Sequence, residues 1–153
     1  MDDAETAGVV ASPPLLMGGT LALGLLLGRS ENRPFISAVA CTLGDVLRAS
    51  GVGMVAAAIV TMKRAGTNVD AFAPATALVT SGPFAITRNP IYLAFAAIYL
   101  GIALRVRSFS LLALLPVALA VMERGVIDRE ERYLERRFGD AYRSYCNRVP
   151  RWL

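Results

Sequence analysis

A chain of 153 residues in which 55% are Ala, Val, Ile, Leu, Met, Phe, Trp, Tyr or Cys, before its 13 glycines are counted, holds more apolar side chain than so small a body can hide from water; its mean hydropathy of +0.50 says the same. The bilayer is the indicated solvent, with room for about four helices of ~20 residues and for no second soluble domain. Histidine is absent and the only cysteines are Cys41 and Cys146, which excludes a Ser-His-Asp triad, a His proton shuttle, a conventional zinc site and a disulfide framework; no metal site is expected. The net charge of +4 is unevenly spread, because eight of the sixteen basic residues lie from Glu123 onward among six carboxylates. That mixture describes a charged helix face and argues against a nucleic-acid partner.

Residues 1–12 carry Asp2, Asp3 and Glu5 and no Lys or Arg, so they lack the basic start of a secretory signal, and the first apolar stretch is expected to be retained. That stretch, Pro13 to Gly28, contains Gly24-Leu-Leu-Leu-Gly28, a small-residue spacing that favours close packing within the bundle over a specific dimer. Arg29 to Pro34 is a polar break, and Phe35 to Leu47 either lies in the interface or opens the next helix. Val46 to Met62 reads as the second span, with Arg48 near one end and Lys63-Arg64 at the other. Residues 65–90 form a long loop whose apolar residues argue against disorder and for function.

Asn89-Pro90 is a helix start, Asn capping the first free amides and Pro being tolerated at the first helical position. The third span then runs from Pro90 to Leu104 and the fourth from Ser108 to Met122, with Pro116 inside it. They form an antiparallel hairpin through a thin bilayer. After Met122 the pattern becomes amphipathic, from Glu123 to Phe138, with a break at Gly139-Asp140 and a continuation to Asn147. The fold class is therefore an all-α integral membrane bundle, residues 1–153 as one domain of four transmembrane helices plus a C-terminal amphipathic helix. Residues 1–64 make an N-terminal hairpin and 65–153 the functional half. Eleven basic residues against five on the two sides favour a cytoplasmic location for both termini and the 63–90 loop.

Three features of that face could carry chemistry. Ile127, Leu134, Phe138 and Tyr145 share a stripe, yet Glu131 projects from it and Glu130 stands at its edge. A carboxylate on a packed face needs a partner: either an internal salt bridge to Arg88 or Arg124, or a ligand's hydroxyl or ammonium group. Arg88 before the helix start makes an anion site or a plain interfacial anchor. Tyr92, Phe95 and Tyr99 form an aromatic stripe that is packing or, if it faces the bundle, the wall of a lipid-sized pocket.

Leu78-Val-Thr-Ser-Gly-Pro-Phe-Ala-Ile-Thr-Arg-Asn-Pro-Ile-Tyr92 and the run from Glu130-Glu-Arg-Tyr-Leu-Glu to Val-Pro150, with Ala65-Gly-Thr67 upstream, occur in the order and spacing of one superfamily. The chain resembles the integral-membrane isoprenylcysteine carboxyl methyltransferases and phospholipid N-methyltransferases over about residues 63–153. The resemblance implies S-adenosylmethionine as cofactor and a lipid or isoprenoid substrate in the inner membrane. It further implies cofactor binding by Thr76, Leu78, Val79, Gly82, Phe84, Asn89, Pro90, Tyr92, Glu130 and Glu131, with Arg88, Glu131 and Tyr92 at the catalytic centre. On that view Arg88 and the helix start hold the cofactor carboxylate, the two glutamates its ammonium or ribose, and Glu131, a Tyr or water takes any proton released. Two positions depart from the isoprenylcysteine enzymes: Asn89 stands where they usually have His, and Val126 where the eukaryotic ones have a substrate-binding Arg. The second departure favours a lipid with a small head group. Two other readings remain, a sterol-reductase-like enzyme using NADPH and a non-catalytic four-helix membrane protein whose charged tail binds a partner.

Overall fold

The computed structural model describes residues 8, 12–31, 37–70 and 73–153, and among these all regular structure is helical. The acidic start at Asp2, Asp3 and Glu5, Arg33 and Pro34 of the polar break, and Phe35 at the start of the stretch after it lie outside the described residues. Helix α1 spans Pro13–Leu27, α2 Ala38–Arg64, α3 Pro90–Val106, α4 Phe109–Met122, α5 Asp128–Phe138 and α6 Asp140–Cys146. Most boundaries follow from local chemistry. Pro13 and Pro90 open their helices at a position that lacks an intrahelical partner for N–H, while Ser37 and Ser108 cap α2 and α4 by accepting from Ala40 and Leu111 N–H. Helix α2 ends where Gly66, at φ 72°, lets its own N–H reach the Lys63 carbonyl and that of Thr67 reach Met62.

The four-span expectation is corrected. Among the described residues two helices are long and apolar enough to cross a membrane, α2 and the rod made by α4 running on through a π-helical turn, Glu123–Ile127, into α5. Pro13 and the tight turn at Gly28–Ser30 confine α1 to 15 residues; Pro90 and a left-handed Arg107 (φ 58°) confine α3 to 17. Phe35–Leu47 resolves as the opening of α2 from Ala38, so Arg48 lies well inside the helix, ion-paired with Asp45. The apolar windows of the two long helices are only 17% and 28% buried, and Val46, Val52, Val60, Phe109, Val117 and Val121 point outward. Core helices of a soluble domain would bury those side chains, so the outer surface is suited to lipid.

Inside the bundle α2 packs along α3 and α1 against α4. Gly44 and Gly51 of α2 meet Gly101 and Ala94 of α3 at backbone contact: a Cβ on Gly44 would lie 2.8 Å from the Gly101 carbonyl, and one on Gly51 2.8 Å from that of Ala94. The Gly24/Gly28 pair serves the bundle, as expected, against Leu111 of α4 and its capping residue Ser108. The chain thus alternates direction, and the start of α1, the end of α2, the 65–89 loop, the start of α3, and α5 with α6 gather at one end.

Candidate functional site

At that end a cavity of about 390 Å3 opens. Its walls come from Pro13 and Pro14 of α1, Val55 and Ile59 of α2, the loop, the first turns of α3, and α5 and α6. The N-terminal half therefore supplies apolar wall to a site read in the sequence from the C-terminal half alone. The loop that roofs the cavity is pinned by its own polar groups. Buried Thr67 accepts from Thr76 N–H at 3.1 Å, Thr76 Oγ1 donates to the Gly66 carbonyl at 2.7 Å, and Ala75 N–H donates to Tyr133 OH at 2.9 Å. Tyr145 OH donates to the Phe84 carbonyl at 2.7 Å, tying α6 to the turn at Gly82–Ala85.

Of the ten residues expected to bind a cofactor, Leu78, Val79, Phe84, Asn89, Pro90, Tyr92, Glu130 and Glu131 line the cavity, as does Arg88. Thr76 and Gly82 are not among the lining residues: Thr76 holds the loop closed, and Gly82, at φ 59°, lets the chain turn against Thr61. Of the aromatic stripe, Tyr92 and Phe95 line the cavity and Tyr99 is buried deeper, its hydroxyl 3.4 Å from the Thr20 carbonyl.

The two glutamates occupy unlike settings. Glu131 is fully engaged: Arg88 Nη1 lies 3.2 Å from Oε1, while Arg151 donates from Nε to Oε1 at 3.2 Å and from Nη2 to Oε2 at 2.5 Å. Arg151 also reaches Glu123 at 2.8 Å and Asp128 at 3.1 Å, and these carboxylates, Glu131 foremost, hold its guanidinium above the usual range. Glu130 has no cation beside it among the described residues. Its Oε2 accepts from Tyr92 OH at 2.7 Å, and burial in the apolar wall pushes its carboxyl up to about 7 against the opposing Tyr92 bond, with the Glu131 charge adding to the rise. This group lies outside the hydrocarbon, because eight of the eleven residues of α5 are charged.

Asn89 occupies the cap position of α3 without capping it; its Nδ2 donates instead to the Arg151 carbonyl at 3.2 Å, a carbonyl that also accepts from Thr87 Oγ1 at 2.9 Å. The expected Asn cap is thus replaced by a tie to the C-terminal strap, and the first amides of α3 keep no side-chain acceptor. Arg88 N–H donates to the Pro150 carbonyl at 2.9 Å and its Nη1 to Cys146 Sγ at 2.8 Å, which leaves its Nε buried without a partner. Arg124 and Arg129 do not line the cavity: Arg124 borders a separate apolar groove, and Arg129 donates to the Gly8 carbonyl at 2.9 Å. Arg151 and Tyr133 went unsingled in the sequence. Arg151 is brought to Glu131 only by the chain reversal after α6, which no local spacing encodes.

A cavity lined by a half-buried carboxylate with no cation beside it among the described residues, and by Arg88, whose Nε lacks an acceptor, at the uncapped start of α3, suits a small zwitterionic or cationic ligand. The family model for phospholipid methyltransferase matches residues 39–141. The chain belongs to the phospholipid methyltransferase family. Its relatives include the cobalt-zinc-cadmium resistance protein CzcN of Cupriavidus metallidurans, 36% identical over 48% of this chain and 33% of that protein. The nickel-cobalt-cadmium resistance protein NccN of Alcaligenes xylosoxydans xylosoxydans is 35% identical over 49% of this chain and 35% of its own length. This chain therefore spans about a third of each of those two proteins. A shorter match, 49% identical over 37 residues, is to an uncharacterized protein of Haemophilus influenzae, covering 24% of this chain and 59% of that one. No solved structure matches the chain. Membership also places it in the isoprenylcysteine carboxyl methyltransferase-like superfamily, as the motif resemblance implied.

Proposed function

We propose that this family member is an S-adenosylmethionine-dependent methyltransferase acting on a lipid-borne acceptor at the cytoplasmic face of the inner membrane. The observation that carries the reading is the complementarity of the cavity's donor set: Arg88 Nε and the uncapped start of α3 suit a carboxylate, and Glu130, without a cationic partner, suits a positive charge. The methyl donor has both, and the volume of about 390 Å3 is within the range of small-molecule sites. When bound, the donor supplies an electrophilic methyl group on a positive sulfur. The protein's part is to bind, align and exclude water. Arg88 and the α3 amides orient the anionic end, Leu78, Val79 and Phe84 with the tyrosines cover the flat apolar part, and Pro13, Pro14 and Phe95 leave an apolar approach for an acyl chain. Val126 is fully buried in the packed core, and no arginine reaches the cavity from that turn, which favours a head group over a carboxylate-terminated acceptor.

Purified protein in detergent should gain thermal stability with S-adenosylhomocysteine and none with NADPH, since a ligand that binds only the folded state raises apparent stability by mass action. With labelled donor it should methylate a component of native lipid extract faster than a farnesylcysteine analogue. A shift with NADPH alone, or with neither ligand, sinks the reading.

A further inference from the structure

We propose that Glu130, held by the Tyr92 hydroxyl, is the proton acceptor of the cavity: it gives up its proton when the cationic donor binds and takes up the proton that the acceptor atom loses on methylation. The inference rests on the methyltransferase reading above and assigns a division of labour that the paired glutamates do not disclose in sequence. Glu131 cannot serve, because both its oxygens are committed to Arg88 and Arg151. Glu130 has one hydrogen bond, from Tyr92 OH at 2.7 Å, and both residues face the cavity. Its setting holds the carboxyl at about 7, so at neutral pH it is a mixture of acid and carboxylate.

The ionisable groups around it can be taken by element. Tyr92 faces it from α3, and Arg88, just before α3, is turned to Glu131. Asp70 comes from the loop, Glu131 and Tyr133 from α5, and Tyr142 and Tyr145 from α6. The wall residues of α1 and α2 bring no ionisable side chain. Among the described residues no positive group is thus directed at Glu130, and a cation introduced into the cavity stabilises its ionised form more than any of them does.

The charge balance closes. The acceptor's lone pair forms the bond to the methyl carbon, the carbon–sulfur pair remains on sulfur, and the proton from the acceptor atom passes to a Glu130 carboxylate oxygen. A positive sulfur and a carboxylate become a neutral sulfur and a carboxylic acid, so the net charge of the cavity is unchanged. It follows that the acceptor bears a proton on the attacked atom, as an amine, thiol or hydroxyl does; a carboxylate acceptor has none to give.

The test is binding rather than turnover, by titration calorimetry on the full chain in detergent. Between pH 5.5 and 7 the affinity for S-adenosylmethionine should rise on the order of tenfold, with about three-quarters of a proton released at pH 6.5 in buffers of different ionisation enthalpy. S-Adenosylhomocysteine, which lacks the sulfonium charge, should change less than about twofold over the same range. Glu130→Gln should bind both ligands with no slope. Tyr92→Phe keeps the carboxylate and loses the bond that lowers its proton affinity, so its slope should persist with a midpoint moved to higher pH. A flat wild-type response, the same slope for both ligands, or a slope surviving in Glu130→Gln would overturn the inference while leaving the methyltransferase reading intact. Failure of both ligands to bind the wild-type chain at any pH would overturn the two together.

Discussion

Glu131 announced itself in the sequence as a carboxylate on an apolar stripe, and the structure explains it by a cage of two arginines. The internal salt bridge to Arg88 weighed at the outset is present, and Arg124 has no part in it. Arg151 meets Glu131 through two hydrogen bonds, so loss of Glu131 removes the strongest contact of Arg151 and frees Arg88 from its carboxylate, although Arg151 keeps Glu123 and Asp128. Glu131→Gln should therefore weaken S-adenosylhomocysteine binding by roughly ten- to a hundredfold, the equivalent of about 1.5–3 kcal/mol for a charge-assisted bond. Glu135→Gln should not, since its partner Arg143 is an exposed residue in a surface pair at 3.4 Å. Arg151→Ala should reproduce the Glu131 effect, and the double variant should be no worse than either single one, the signature of one shared interaction. Additive losses would mean that Arg151 acts elsewhere, and Glu135→Gln falling as far as Glu131→Gln would dissolve the distinction. Glu131 was legible because helical periodicity exposes a misplaced charge; Arg151 was not, because its position is set by tertiary reversal.

At the scale of elements, starts were legible and ends less so. Pro90 and Ser108 mark α3 and α4 by backbone chemistry that a sequence displays, whereas α2 begins eight residues ahead of the expected Val46 because small residues such as Ala38, Ala40 and Gly44 carry no clear period. The change of pattern after Met122 falls where the sequence put it, and the structure adds its form: the chain passes through one π-helical turn, Glu123–Ile127, into α5. The tightest packing also went unread. Gly44 and Gly51 on α2 repeat at the same seven-residue interval as Ala94 and Gly101 on α3, and their backbones touch. A Cβ at Gly101 would stand 2.5 Å from the Gly44 carbonyl and 2.7 Å from Arg48 Cγ, whereas one at Gly53 meets nothing within 4 Å. Gly101→Ala should accordingly lower stability by about 1–3 kcal/mol, read as a clear fall in melting temperature in detergent, and Gly53→Ala should leave it unchanged or raise it slightly. Equal effects at the two positions would show that the α2–α3 contact is looser than the backbone geometry requires.

At the scale of the molecule, the two antiparallel passes of α3 and α4 carry the chain away from the 65–89 loop and back, bringing that loop, α5 and α6 to one end of the bundle. Cysteines introduced at exposed Ser81 and Ser144, in a background lacking Cys41 and Cys146, should be labelled from the same side of sealed vesicles. Labelling from opposite sides would separate the walls of the cavity and exclude the site. The gathering of that end was legible from arginine counting and from motif order, since both report on long stretches; the number of full-length spans was not, since it turns on one or two residues at each helix end. The rod formed by α4 and α5 has a further consequence. It carries lipid-facing Val117 and Val121 and, farther along the same axis, the carboxylates of the cavity. At roughly 1.5 Å per residue Glu130 stands about 12 Å beyond Met122. Its height above the oily layer is therefore a fixed length, like the mark on a dipstick, and on the proposed reading the thickness of the surrounding leaflet would select which depth of a lipid's polar end reaches it.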